Sequence, residues 1–228
     1  MNEEITIEEL KTALASGARA ILQVRHAERP KMDPDDPTFG DSLHLTDEGR
    51  RTAKKLGEEF ADYKSSAQFL ASPLTRTVET AELIAEGMGI NLNGKIATDD
   101  LVGNGSFFYD DPLEVMYVFK AENFFNACFT YFQTGELRGF KNLYTAADGL
   151  EEWLEARFKE KLFVVSTHDC FIAAFLSARG AAGEFTRDNW PRFLDAVASL
   201  YLPDGSKKYA FIRTNLSDGV CGVGGKVL

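Results

Sequence analysis

The residues best suited to chemistry stand in three short stretches. The first is Arg25-His26-Ala27-Glu28-Arg29. A histidine with arginines one residue before and three after it has a direct phosphate reading. Guanidinium forks bind phosphate oxygens in pairs, and a neutral imidazole nitrogen can attack phosphorus. The plain alternative is a surface cluster. The second stretch, Ser72-Pro73-Leu74-Thr75-Arg76-Thr77, sets an arginine just past a predicted strand end; taken alone, such a residue is more often solvated. The third, Ser166-Thr167-His168-Asp169, joins a second histidine to a carboxylate, where the plain alternative is a buried histidine beside a capping aspartate. The chain has 3 histidines, and His44, the one outside these stretches, falls in a polar loop and is expected to be structural or exposed.

The elements behind these stretches follow from periodicity. An apolar run from Arg19 to Val24 reads as a buried strand that stops at Arg25. A loop broken by Pro30, Pro34, Pro37 and Gly40 follows. Thr46 is expected to cap a helix with Asp47 and Glu48 in its first turn, and Ala53, Leu56, Phe60 and Tyr63 recur at helical spacing behind it. The run ending at Ser72 is a second strand, Pro73 suits a first helical position, and a helix is expected to run on to Gly87 or Gly89. The clearest strand starts at Lys161 and stops at Thr167, with a helix after it. Residues from Ser199 to Thr214 read as a hairpin around Pro203, Asp204 and Gly205. Alternating strands and helices predict one α/β domain over residues 1–228. It would be a three-layer α/β/α sandwich with a mainly parallel, mixed central sheet and a small helical cap insert at about 103–155. In such sheets sites gather at the carboxyl ends of strands, where all three stretches fall.

Composition narrows the field. With 228 residues, 44% of them hydrophobic and 26% charged, the chain can bury a substantial core. A net charge of −10 argues against nucleic acid or an anionic membrane as partner, since both need a positive surface. No apolar run is long enough to span a membrane. The acidic N-terminus reads as an amphipathic helix rather than a secretory signal. Cys128, Cys170 and Cys221 are odd in number and dispersed, which fits a reducing cytoplasm. Three dispersed histidines give no metal-ligand pair, and Asp33, Asp35 and Asp36 read as a solvated loop rather than a calcium site.

Together the elements Arg25–Arg29, LTDEGRRTA at 45–53, SPLTRTVETA at 72–81 and STHD at 166–169 resemble the histidine phosphatase superfamily, which includes phosphoglycerate mutases and histidine acid phosphatases. They come in the family's order, though the segment from about 100 to 155 has no counterpart among them. The resemblance implies that His26 is the phosphorylated nucleophile and that Arg25, Arg29, Arg76 and His168 form the phosphate pocket. It implies a metal-independent phosphomonoesterase acting on a small-molecule phosphate ester, with neither metal nor organic cofactor. The alternatives are a mutase-like phosphotransferase and a catalytically silent phosphate-binding scaffold.

A leaving alkoxide needs a general acid, and the two branches of the family disagree about it. The acid-phosphatase pattern points to Asp169, and Arg29 matches that branch too. The mutase pattern asks for a loop glutamate; here Asp99 and Asp100 stand instead, with Asp100 as the reserve and Glu28 matching the mutase-like first motif. Ala27 replaces a common glycine and is expected to narrow the space beside the phosphate. The segment from Ser106 to Trp153 is rich in aromatics, expected to be packing core, with a substrate-shaping lid or a homodimer surface as the functional alternatives.

Overall fold

The computed structural model describes residues 4–32 and 40–217. The acidic run Asp33, Asp35 and Asp36, the breakers Pro34 and Pro37, and Cys221 lie outside the described residues. Among those described, seven strands form one sheet: β1 (Glu4–Ile5), β2 (Arg19–Arg25), β3 (Ala67–Ala71), β4 (Ala97–Thr98), β5 (Leu162–Thr167), β6 (Ala196–Tyr201) and β7 (Lys207–Ile212). Their order is β1-β7-β6-β2-β5-β3-β4. The half containing β2, β5, β3 and β4 is parallel, and β6 pairs antiparallel with both β2 and β7.

Alternation along the strands divides the core into two layers. On one face Ile21, Phe163, Val165, Val197 and Phe211 meet α5 (Phe124–Thr134), α6 (Leu143–Glu155) and α7 (Asp169–Ala178). On the other, Leu22, Val24, Leu162, Val164 and Ala198 meet α1 (Ile7–Ala15), α2 (Asp47–Glu58) and α3 (Thr75–Gly87). The expected three-layer architecture with a mixed sheet is therefore present. Among the described residues no helix is long and apolar enough to cross a membrane.

Local chemistry explains most element boundaries. The Thr6 and Glu9 side chains form a reciprocal capping box that starts α1. Thr46 caps α2 as expected, its Oγ1 accepting from Gly49 N at 2.9 Å. The helical spacing through Phe60 and Tyr63 does not continue as α-helix. After Glu58 the chain tightens into a 3-10 turn over Ala61–Ser66, with Phe60 N bonded to Gly57 O and Tyr63 N to Phe60 O; Asp62, Ser65 and Ser66 are weak helix formers that favour such ends. Pro73 likewise lies outside its helix, which starts at Thr75 with Leu74 as its cap residue. Thr77 Oγ1 reaches back to the carbonyls of Ser72 and Leu74, at 2.8 and 2.7 Å, so the side chain rather than proline pins this turn.

Helices α2 and α3 touch through their backbones. A Cβ on Gly57 would lie 2.0 Å from Ile84 O, and one on Gly87 would lie 2.0 Å from Lys54 O. Only glycine permits that approach, and it seats α3, the carrier of Arg76, closely against α2. Between β4 and α6 runs α4 (Pro112–Glu122), started by the Asp111 side chain accepting from Leu113 N and Glu114 N. The aromatic-rich segment is chiefly core: Phe108, Phe125 and Tyr131 are buried, while Tyr117 is exposed.

Candidate active site

Sheet register brings the three stretches together. In β2 and β5, Arg25 pairs with Thr167, and the next backbone group, His26 N, donates to Thr167 O at 3.0 Å. Ser72 N, one residue past β3, donates to Ser166 O at 3.1 Å. Because β2, β5 and β3 are neighbours and parallel, their carboxyl ends deliver Arg25-His26, His168-Asp169 and the Ser72 turn to one edge. The segment after β2 is then clamped. Ala27 N donates to Thr80 Oγ1 at 2.9 Å, and Thr46 N donates to Glu28 O at 3.0 Å. A Cβ on Gly49 would meet that same Glu28 carbonyl at 2.2 Å.

His26 is 4% exposed, and its ring centroid lies 5.5 Å from that of His168. Its Nδ1 sits 2.8 Å from Ala27 O. A carbonyl only accepts, so Nδ1 carries the proton and Nε2 keeps the lone pair. Burial, then the neighbouring His168, Arg25 and Arg76, hold the His26 pKa well below the usual imidazole range, against a smaller opposing pull from the Ala27 bond. His168 is also shifted down, by burial and then by Arg76. Its Nε2 lies 3.3 Å from Ser72 Oγ, which in turn lies 2.7 Å from Thr77 Oγ1. Both imidazoles are therefore neutral near pH 7.

Three buried guanidinium groups surround them. Arg76, in the first turn of α3, donates from Nη1 to Gly40 O at 2.7 Å, while its Nε finds no partner among the described residues. Burial and then the charge of Arg29 push its pKa down to about 10. Arg29 donates from Nη1 to Pro30 O at 2.8 Å. Arg25 is 1% exposed, donates to Pro191 O at 2.6 Å, and stacks over the Phe193 ring at 4.3 Å. A cluster of like charges kept from water is costly in isolation, and an anion placed among them relieves that cost.

Asp169 is the counterweight. Its Oδ2 lies 3.1 Å from Arg25 Nη2 and accepts from Trp190 Nε1 at 3.0 Å; Oδ1 accepts from Cys170 N at 2.9 Å. Burial raises its pKa, but Arg25, the indole N–H and His168 outweigh that, and the net shift is downward. Asp169 is a held carboxylate.

All six residues singled out for the site, His26, His168, Asp169, Arg25, Arg29 and Arg76, line one cleft of about 500 Å³. Asp100 lines it too. Glu28 does not; its Oε1 lies 3.3 Å from Thr46 Oγ1. Ala27 does not narrow the cleft either, because it is fully buried in the layer beneath, with Leu22 and Val24. His44 is exposed, with its Nδ1 2.6 Å from Glu79 Oε1. Sequence reasoning missed Ser72, Trp190, Pro191 and Phe193 as partners of these groups. The Asn189-Trp190-Pro191 run before β6 has no periodicity, so nothing local marked it.

Residues 21–101 match the model of the histidine phosphatase superfamily (branch 1). That match, with the strand-end constellation and the sheet order, makes the chain similar to this superfamily over about a third of its length. No curated protein matches it by sequence. Solved structures resemble it in fold. Bacillus stearothermophilus YhfR aligns at 15% identity with a TM-score of 0.56, covering 87% of this chain and 99% of that one. A mycobacterial glucosyl-3-phosphoglycerate phosphatase aligns at 14% and 0.52, covering 86% and 98%. A phosphoserine phosphatase from Entamoeba histolytica aligns at 13% and 0.52, with the same coverages.

Proposed function

We propose that the protein is a metal-independent phosphomonoesterase working through a phosphohistidine at His26. The observation that carries this reading is the state of His26. A neutral imidazole with its proton parked on Nδ1 presents Nε2 within a cleft that also holds Arg25, Arg29 and Arg76. Each guanidinium at ~4 Å from a phosphate charge contributes about 4 kcal/mol at an effective dielectric near 20, and that attraction grows as charge shifts to the transferring oxygens.

In the first step His26 Nε2 bonds to phosphorus as the bond to the ester oxygen breaks. The leaving alkoxide takes a proton from Asp169. In the second, Asp169 removes a proton from water, the hydroxide attacks phosphorus, the P–N bond breaks, and inorganic phosphate departs. The resting carboxylate is no obstacle to this acid role. An arriving phosphate dianion engages Arg25 and adds negative charge beside Asp169, and a unit charge at ~4 Å favours the protonated carboxyl by about 4 kcal/mol. Asp100 lines the same cleft and is the alternative donor. His168, neutral and held near Ser72, donates to the transferring group.

Wild type and His26→Ala are to be compared on an aryl phosphate in the presence of a chelator, with acid-labile label on the protein followed after rapid quenching. Turnover and label are expected in wild type, and neither in the variant. A wild type that hydrolyses no aryl, alkyl, sugar or amino-acid phosphate would overturn the reading, and a silent phosphate-binding protein would take its place. Return of label to a second hydroxyl of the substrate would indicate a mutase.

A further inference from the structure

The cleft that holds the phosphate groups continues into a wall of rings. It starts at His168, whose ring lies 6.0 Å from Phe171. Phe171 lies 6.1 Å from Tyr109, Tyr109 lies 6.5 Å from Phe119, and Phe119 lies 5.1 Å from Phe124. All of these line the cleft, joined by Met116 of α4, which is 40% exposed. A substrate whose phosphate sits among the arginines must lay its alcohol portion somewhere in this cleft.

The charges point the same way. Among the described residues lining the cleft, Arg25, Arg29 and Arg76 are the cations, and all three belong to the phosphate end. The other lining charges are carboxylates: Asp169 beside Arg25, Asp41 beside Arg76, and the exposed Asp100. A second anionic group on the substrate would find no further cation among the described lining residues, and hydroxyls laid along the rings of Phe119, Phe124 and Phe171 would lack hydrogen-bond partners there.

Resting on the phosphatase reading, we infer that the substrate class is the phosphate monoester of an apolar alcohol, carrying a hydrocarbon chain or ring and no second anionic group. Val115, Met116, Phe119 and Phe124 set that preference from α4 and α5. The aromatic insert then has two roles, packing on its inner side and selecting the leaving group on its outer side.

A series of n-alkyl phosphates from ethyl to hexyl tests this, because leaving-group acidity barely changes along it. Each buried methylene is worth about fourfold in kcat/KM. Over four methylenes in a partly open cleft, a gain of about tenfold to a hundredfold is expected. Glycerol phosphate and phosphoglycerate should do no better than ethyl phosphate. In Phe119→Asn the hexyl-to-ethyl ratio should fall toward one. Binding of the matching alkylphosphonates, measured by calorimetry on wild type, should show the same climb without any turnover. A flat series, or preference for glycerol phosphate over hexyl phosphate, overturns the inference and leaves the phosphatase reading intact. Absence of hydrolysis with phosphonate affinity still climbing overturns the phosphatase reading and sustains the apolar site.

Discussion

Replacing Asp169 with asparagine keeps the side chain's shape and removes its charge and its proton. Asparagine Oδ1 can still accept from the Trp190 indole or from Cys170 N, so the backbone at the start of α7 keeps its tether. Two consequences follow from the geometry. The attraction across 3.1 Å to Arg25 is about 5 kcal/mol at an effective dielectric near 20. Arg25 is 1% exposed and Asp169 18%, so losing one member should cost roughly 3 kcal/mol of stability. Arg25, freed of its carboxylate, should also bind inorganic phosphate more tightly. The kinetic consequence is separate. General acid catalysis is worth about 10² to 10⁴ in rate, and it matters only where the departing oxygen needs a proton. For Asp169→Asn, kcat/KM should fall by about that factor on hexyl phosphate and by less than about tenfold on a nitrophenyl ester. Steady-state kinetics on both esters, with phosphate inhibition alongside, read all of this. Equal losses on the two esters would refute Asp169 as the acid and reduce it to a partner of Arg25.

Two further outcomes are expected. Trp190→Phe removes the N–H that favours the Asp169 carboxylate, a charge-assisted bond worth about 1.5–3 kcal/mol; the alkaline limb of kcat/KM on alkyl esters, which falls as the acid loses its proton, should move to higher pH, and an unmoved limb contradicts the role. The depressed pKa values of His26 and His168 have a stability consequence with a definite sign. As pH falls below 6.5, the unfolded imidazoles take up protons that the folded ones refuse, so each costs about 1.4 kcal/mol per pH unit. Urea unfolding at pH 7 and pH 5 should show this loss, and His26→Gln should shrink it; an equal loss in the variant would argue against a neutral His26.

How far the sequence carried the structure depended on how local each signal was. Buried runs such as Leu162–Thr167, with an abrupt polar stop, located β2, β3 and β5 and hence the edge where the site lies. The α2 cap was legible because Thr46 and the acids behind it act within one turn. The two-residue strands β1 and β4 were not, since period-two alternation needs more residues than they have. The environment of Asp169 was hidden for a different reason. Trp190 is 21 residues away in sequence and reaches the site through tertiary packing against Phe124, Phe125 and Phe129. No spacing rule connects them. Ala27 was misplaced because a residue's neighbours in sequence do not say which layer its side chain enters.

The pairing of Arg25 with Thr167 sets a length that no side chain chooses. Adjacent strands in a sheet stand about 4.8 Å apart because their hydrogen bonds require it, and His26 and His168 each follow a strand end on neighbouring rungs. The separation of the two imidazoles is thus a ruler cut into the main chain. Core residues can be exchanged wholesale without altering its divisions. That is a physical reason why chains at 13–15% identity can share one fold, and why redesign of the surrounding layers should leave the gap between the two imidazoles untouched.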